Sequence, residues 1–159
     1  MKKIAIYIFL AYIALALQAV FFHGIKPDLA LVLVYFYAVK YGQTKGVIYG
    51  AFTGLLIDTS SGFILGPNII SKSLAAFFAT AIKENLFQWN IIISTLLMVI
   101  ISLFDILLVY ICLETFSKVS FANRPWSISV VEVVYTVLTA MIIYPLYKAE
   151  RNRRLADVL

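Results

Sequence analysis

Residues 89–113 read WNIIISTLLMVIISLFDILLVYICL, an apolar run in which Asp105 is the single charged residue. As a helix rising ~1.5 Å per residue this stretch reaches about 37 Å, enough to cross a ~30 Å hydrocarbon core with tilt. The whole chain shares its character. Of 159 residues, 63% are hydrophobic and 13% charged, where an average soluble domain carries roughly a quarter charged residues. A soluble protein of this size has too little interior to hide so much apolar surface, so lipid is the solvent in which the sequence must be read. The aromatic share of 15%, with Tyr and Trp near the ends of apolar stretches, fits rings settling at headgroup level.

Working outward from that run, Asn123-Arg124-Pro125-Trp126 introduces a further apolar stretch at 127–147, and 148–159 form a basic, solvated tail. On the N-terminal side, 64–82 forms another helix. Pro67 is well placed to begin it, since its missing N–H costs nothing there, and Lys83-Glu84-Asn85 ends it. Two shorter segments precede it, 29–40 and 43–57, the second rich in glycine. The first stretch, 4–22, follows Met1-Lys2-Lys3 and is longer than the apolar core of a signal peptide, so it reads as a retained helix despite Ala14 and Ala16. The sequence thus predicts an all-α integral membrane protein, a single domain over 1–147 of about six transmembrane helices.

Charge distribution sets the orientation. If successive connectors alternate across the membrane, one side carries Lys2, Lys3, Lys40, Lys45, Lys83, Lys148, Arg151, Arg153 and Arg154, and the other Lys26, Lys118 and Arg124. Nine against three places both termini in the cytoplasm. The formal charge of +5 therefore reports topology, and no nucleic-acid partner is expected. If the two short segments form a re-entrant hairpin, the termini still share a side.

Two groups of residues are candidates for function. Gly42, Gly46, Gly50 and Gly54 recur every four residues and line a shallow ridge on one helix, which Asp58 continues. Between helices in lipid, glycines matter because they let another backbone approach closely. The ridge is expected to be an interface, either with a helix of the same chain or with a partner. The second group is ionisable: Asp58, Lys72, Asp105 and Glu132, all in the outer half of the membrane by this topology. An unpaired charge there costs ~2.5 kcal/mol or more, so such groups face a bundle interior, a wet cavity or each other. They form an outward-facing ligand pocket, a polar face for another membrane protein, or an internal ion-pair network, or a carboxylic acid among them is simply neutral.

Catalytic chemistry has little support. His23 is the only histidine, Cys112 the only cysteine, and no metal-ligand spacing or activated nucleophile is visible. No cofactor or metal is expected. Cys112 reads as a small buried hydrophobe, and the run Lys148 to Arg154 as a stop-transfer signal near anionic lipid.

The order Lys26-Pro27-Asp28-Leu29, an apolar helix, a glycine-rich helix ending Gly54-Leu55-Leu56-Ile57-Asp58, and then Gly62-Phe63-Ile64-Leu65-Gly66 resembles the rod shape-determining protein MreD family over roughly residues 26–75. The resemblance implies a non-catalytic, multi-pass scaffold of the cell-elongation complex (the elongasome) in the bacterial cytoplasmic membrane. Its implied partners are membrane lipid, MreC and, further, MreB, RodA and the elongation transpeptidase of peptidoglycan synthesis. It also implies structural roles for Pro27, Asp28, Gly50, Gly54, Asp58, Gly62 and Gly66: a turn, close helix packing and a carboxylate at a helix end. Lys72 departs from the family pattern, in a stretch that is usually uncharged. The family is similar in overall fold to the substrate-binding subunits of energy-coupling-factor vitamin transporters, which supply an alternative function. Against it, no two alanines between Ile4 and Phe22 stand four apart, whereas those subunits often carry such a face in the first helix.

Overall fold

In the computed structural model the described residues are 2–21, 24, 26–62, 64–85, 90–116 and 126–156. Phe22, His23, Phe63, Trp89, Lys118, Asn123, Arg124 and Pro125, all used above, lie outside them. Among the described residues there are six α-helices and no strand: α1 Lys2–Phe21, α2 Leu29–Tyr41, α3 Gln43–Ser61, α4 Pro67–Asn85, α5 Ile91–Phe116 and α6 Trp126–Ala156. Two helical stretches, Ile91–Phe116 and Ser127–Pro145, are by themselves long and apolar enough to cross a membrane. α2, with 13 residues, reaches only about 20 Å at ~1.5 Å per residue.

The helix ends follow from identifiable residues. Asp28 caps α2, its Oδ1 accepting the Leu31 N–H at 2.8 Å, which satisfies one of the orphan donors of the first turn. Gly42 is a one-residue turn between α2 and α3: its φ of +90° is open to glycine at little cost, and its N–H donates to the Ala38 carbonyl at 2.9 Å. α3 runs four residues beyond the expected 43–57. The polar Asp58-Thr59-Ser60-Ser61 continues the helix because its hydroxyls bond backward, Thr59 to the Leu55 carbonyl at 2.8 Å and Ser60 to Leu56 at 2.7 Å. Gly62, in the left-handed conformation, then ends it. α4 begins at Pro67 rather than 64. α6 passes through Pro145 and continues to Ala156, so residues 148–156 extend a helix where a separate tail was expected.

α2 is the hub. Ala30, Leu31, Val32, Val34, Tyr35, Phe36, Tyr37, Ala38 and Val39 are all buried, so the helix is covered on every side, which is why its sequence has no polar face. Leu31, Val32, Tyr35, Phe36 and Val39 pack with Ala75 and Ala79 of α4, Leu97, Met98 and Ile101 of α5, and Ala140, Tyr144 and Tyr147 of α6. On its other side Val34, Tyr37 and Ala38 meet Ala11 of α1, Tyr49 of α3 and Ala76 of α4. The outside is apolar too. α5 buries Ser94, Leu97, Met98, Ile101, Ser102 and Asp105, a single stripe at helical spacing. It exposes Ile92, Leu96, Ile100, Leu103 and Leu107. Polar groups turned inward and aliphatic groups turned outward is the arrangement that lipid favours.

Candidate functional site

The polar interior of the bundle centres on Lys72, whose side chain is 1% exposed. Its ammonium lies 2.5 Å from Asp28 Oδ2 and 2.6 Å from Asp105 Oδ2, so a cation of α4 joins the start of α2 to the middle of α5. Each carboxylate is held by a further donor: Asp105 Oδ1 accepts from the Ser71 hydroxyl, and Asp28 Oδ1 accepts the Leu31 amide. The Asp28 N–H donates to Thr136 Oγ1 at 2.9 Å, and that hydroxyl donates to the Glu132 carbonyl at 2.7 Å. Four helices, α2, α4, α5 and α6, are thereby tied to one charge cluster. A buried ion pair must recover a large desolvation cost, and charge-assisted bonds from both sides do so here.

The ionisable residues picked out by sequence do not form one cluster. Lys72 and Asp105 are in contact; Asp58 stands apart, 3% exposed, and serves the start of α4. Its Oδ2 accepts the Gly66 N–H at 2.9 Å, and its Oδ1 accepts the Asn68 N–H at 3.2 Å and the Asn68 side-chain amide at 2.8 Å. The carboxylate of one helix thus caps the next, where the helix dipole also favours negative charge. Gly62 and Gly66 shape the short connection that makes this reach possible, and buried Pro67 occupies the first position of α4. Glu132 lies beside the triad on the wall of a cavity between α5 and α6. Asp28, read from sequence as a turn residue, is the second partner of Lys72.

The glycine ridge is occupied by the chain's own helices. A Cβ added at Gly50 would lie 2.5 Å from the Lys72 carbonyl oxygen, and one at Gly54 would collide with the Asn68 carbonyl. One at Gly46 would lie 2.7 Å from the Ala38 Cα of α2. Three of the four glycines therefore seat α3 against backbone, chiefly that of α4. Gly42 differs: nothing lies within 4 Å of its Cβ position, and it belongs to the turn. The two devices meet at Lys72, whose carbonyl faces Gly50 while its ammonium faces Asp28 and Asp105.

At the opposite end of α2, Tyr7, Tyr37, Tyr41 and Tyr49 form an aromatic cluster. Ring centroids lie 4.8 Å apart for Tyr7 and Tyr37 and 4.3 Å for Tyr37 and Tyr49. The Lys40 ammonium lies 2.8 Å from the Tyr7 hydroxyl, and the Tyr49 hydroxyl donates to the Tyr7 carbonyl at 2.9 Å, which fastens α1 to the rest. Midway, the Tyr35 hydroxyl pairs with the Ser94 hydroxyl at 2.9 Å, linking α2 to α5. Sequence reasoning found none of these partners. Tyr35 and Ser94 sit in apolar runs where only the lone polar atom was a signal.

No curated protein and no solved structure matches the chain. The model of the rod shape-determining protein MreD family matches residues 2–149, all six helices except the end of the last. With the apolar helices and inward-turned charges described above, that match makes this a membrane protein concerned with rod shape, and the chain belongs to the MreD family.

Proposed function

We propose that the chain is a non-catalytic scaffold of the bacterial cell-elongation complex, linking MreC, the MreB filament, and the peptidoglycan synthases RodA and its transpeptidase. The observation that carries this reading is the family match across residues 2–149. The use of the polar interior agrees with it: Lys72, Asp28, Asp105 and Asp58 are engaged in joining helices, the work of a rigid platform. Partner affinity then comes from the lipid-facing surfaces, where close packing of helices replaces the hydrophobic force available in water.

In the same proposal the six helices cross the cytoplasmic membrane with both termini inside. The one-residue turn at Gly42 sends α3 back antiparallel to α2, so Asp28 and Asp58 share one end. Lys40 and Lys83 lie near each other at the other end, Lys83 donating to the Val39 carbonyl and Lys40 to Tyr7. An excess of Lys and Arg at one end is the asymmetry that orients membrane proteins, that end facing the cytoplasm. No observation favours the vitamin-transporter alternative.

The test is genetic replacement. Depletion of the chain in its rod-shaped host should round the cells, and a plasmid copy should restore rods. Cells that stay rod-shaped through depletion would overturn the proposal.

A further inference from the structure

α6 is a single helix from Trp126 to Ala156, yet its apolar stretch ends at Pro145, so ~16 Å of helix continues past that point. Through the bundle α6 packs along one seam. Val133, Ala140, Tyr144 and Tyr147 are buried and Val137 packs against the same core. They recur at alternating spacings of four and three, the repeat by which a helix keeps one stripe against its neighbour. Pro145 does not interrupt the seam, because Tyr144 before it and Tyr147 after it are both buried. The next two seam positions, again at four and three, are Arg151 and Arg154.

One neighbour along this seam is α2, which runs parallel to α6. The Asp28 N–H meets Thr136 Oγ1 at 2.9 Å at the start of α2, and further on the Phe36 and Tyr147 rings lie 5.5 Å apart. α2 ends at Tyr41, five residues past Phe36, while α6 runs nine residues past Tyr147. The seam therefore outlasts α2 by about a turn, and it changes from aromatic to cationic where α2 stops. The opposite side of α6 behaves differently. There Val134, Leu138, Met141 and Ile142 are exposed, and that side continues as Ala149, Asn152 and Ala156, with Lys148 and Arg153 at its margins. A segment that served only to hold anionic headgroups would need its basic residues on the lipid side. Four basic residues against Glu150 leave the extension cationic.

We propose that the end of α6 is a docking site for an acidic helical segment of a cytoplasmic protein, which lies along the seam beyond the end of α2. Carboxylates at matching spacing pair with Arg151 and Arg154, since a planar guanidinium takes a carboxylate through two parallel N–H bonds. Leu155 adds an apolar position one turn after Arg151. The inference rests on the scaffold reading only for the side of the membrane on which this end lies. Binding to the purified chain tests the site by itself, and depletion in the host tests that reading.

The probe is a fluorescein-labelled, alanine-based helical peptide with glutamates at four-three spacing, and its glutamine counterpart is the control. Fluorescence anisotropy is followed as the purified full-length chain in mild detergent is added. The glutamate peptide should bind and the glutamine peptide should not. Arg151→Gln with Arg154→Gln should weaken binding about tenfold or more, through the loss of two charge-assisted contacts. Lys148→Gln with Arg153→Gln removes the same charge and should weaken it less than about threefold, through general attraction alone. Glutamine replaces arginine or lysine in a helix at little cost, so both pairs keep the fold. Equal weakening by the two pairs would show a diffuse attraction to a basic tail and overturn the proposal, as would failure of the glutamate peptide to bind. Repeating the titration in nanodiscs rich in phosphatidylglycerol separates protein from lipid. The dependence on Arg151 and Arg154 should survive there, and loss of peptide binding would assign these arginines to lipid headgroups and overturn the proposal.

Discussion

Replacing Lys72 with Met removes the ammonium that Asp28 and Asp105 share while keeping the length of the side chain. Two carboxylates then face each other in the bundle, one 23% and one 5% exposed. Breaking a buried pair by deleting one member costs ~3–5 kcal/mol. Asp28 keeps its bond to the Leu31 amide and partial access to water, so the low end, about 3 kcal/mol, is expected. For a chain of this length 1 kcal/mol moves the melting temperature by about 2–4 °C, so Lys72→Met should melt roughly 6–12 °C below the parent. The assay is thermal unfolding in detergent, followed by tyrosine and tryptophan fluorescence and by loss of the monodisperse peak in size-exclusion chromatography. Adding Asp105→Asn should recover at least half of the loss, because it removes the more deeply buried of the two unpaired charges. If Lys72→Met melts within about 2 °C of the parent, or if the double variant is no better than the single, the triad does not hold the helices together as argued.

Three further outcomes follow from the same contacts. Gly50→Ala and Gly54→Ala force a methyl group against α4 backbone that cannot rotate away, and each should cost ~1–3 kcal/mol by overpacking. Gly42→Ala meets open space and pays only for a positive-φ, extended backbone conformation that is essentially restricted to glycine, ~1–3 kcal/mol, and the melting temperature of each variant measures its cost. Asp58→Ala leaves the Gly66 and Asn68 amides without their acceptor and should lower stability by ~0.5–2 kcal/mol. Asp58→Asn, which keeps one acceptor oxygen, should lose less, and hydrogen exchange at the start of α4 reads the difference. Tyr35→Phe should cost about 1 kcal/mol through the lost bond to Ser94, visible as a small drop in melting temperature with no change in oligomeric state.

Much of the helix plan was legible because long apolar runs and their polar interruptions are local features. Pro67, Lys83-Glu84-Asn85 and the run around Asp105 mark the ends and centres of helices without reference to the rest of the chain. The end of α3 was not, because Thr59 and Ser60 look like a loop until their hydroxyls bond back onto Leu55 and Leu56. α2 read as an oddly short segment, whereas it is the buried hub; a run of Leu, Val and Tyr carries no mark of how many neighbours surround it. In the candidate site, an internal ion-pair network was one of the arrangements left open for Lys72, and Asp105 is one of its partners. Which carboxylates it meets depends on tertiary structure, and Asp28, 44 positions away, was recognisable only as a turn residue. The four-residue glycine spacing pointed to an interface but not to α4 as its main occupant, and it grouped Gly42, a turn, with three packing residues.

The central claim is that this bundle works by holding other proteins. The most direct measurement is to purify the chain, tagged at its C-terminus, in mild detergent from its native membrane and to identify by mass spectrometry the proteins that accompany it. The account predicts recovery of MreC with RodA or the elongation transpeptidase, and reduced recovery with Gly54→Leu, which forces α3 from α4. Recovery of paired ATPases and a coupling subunit in place of MreC would contradict it.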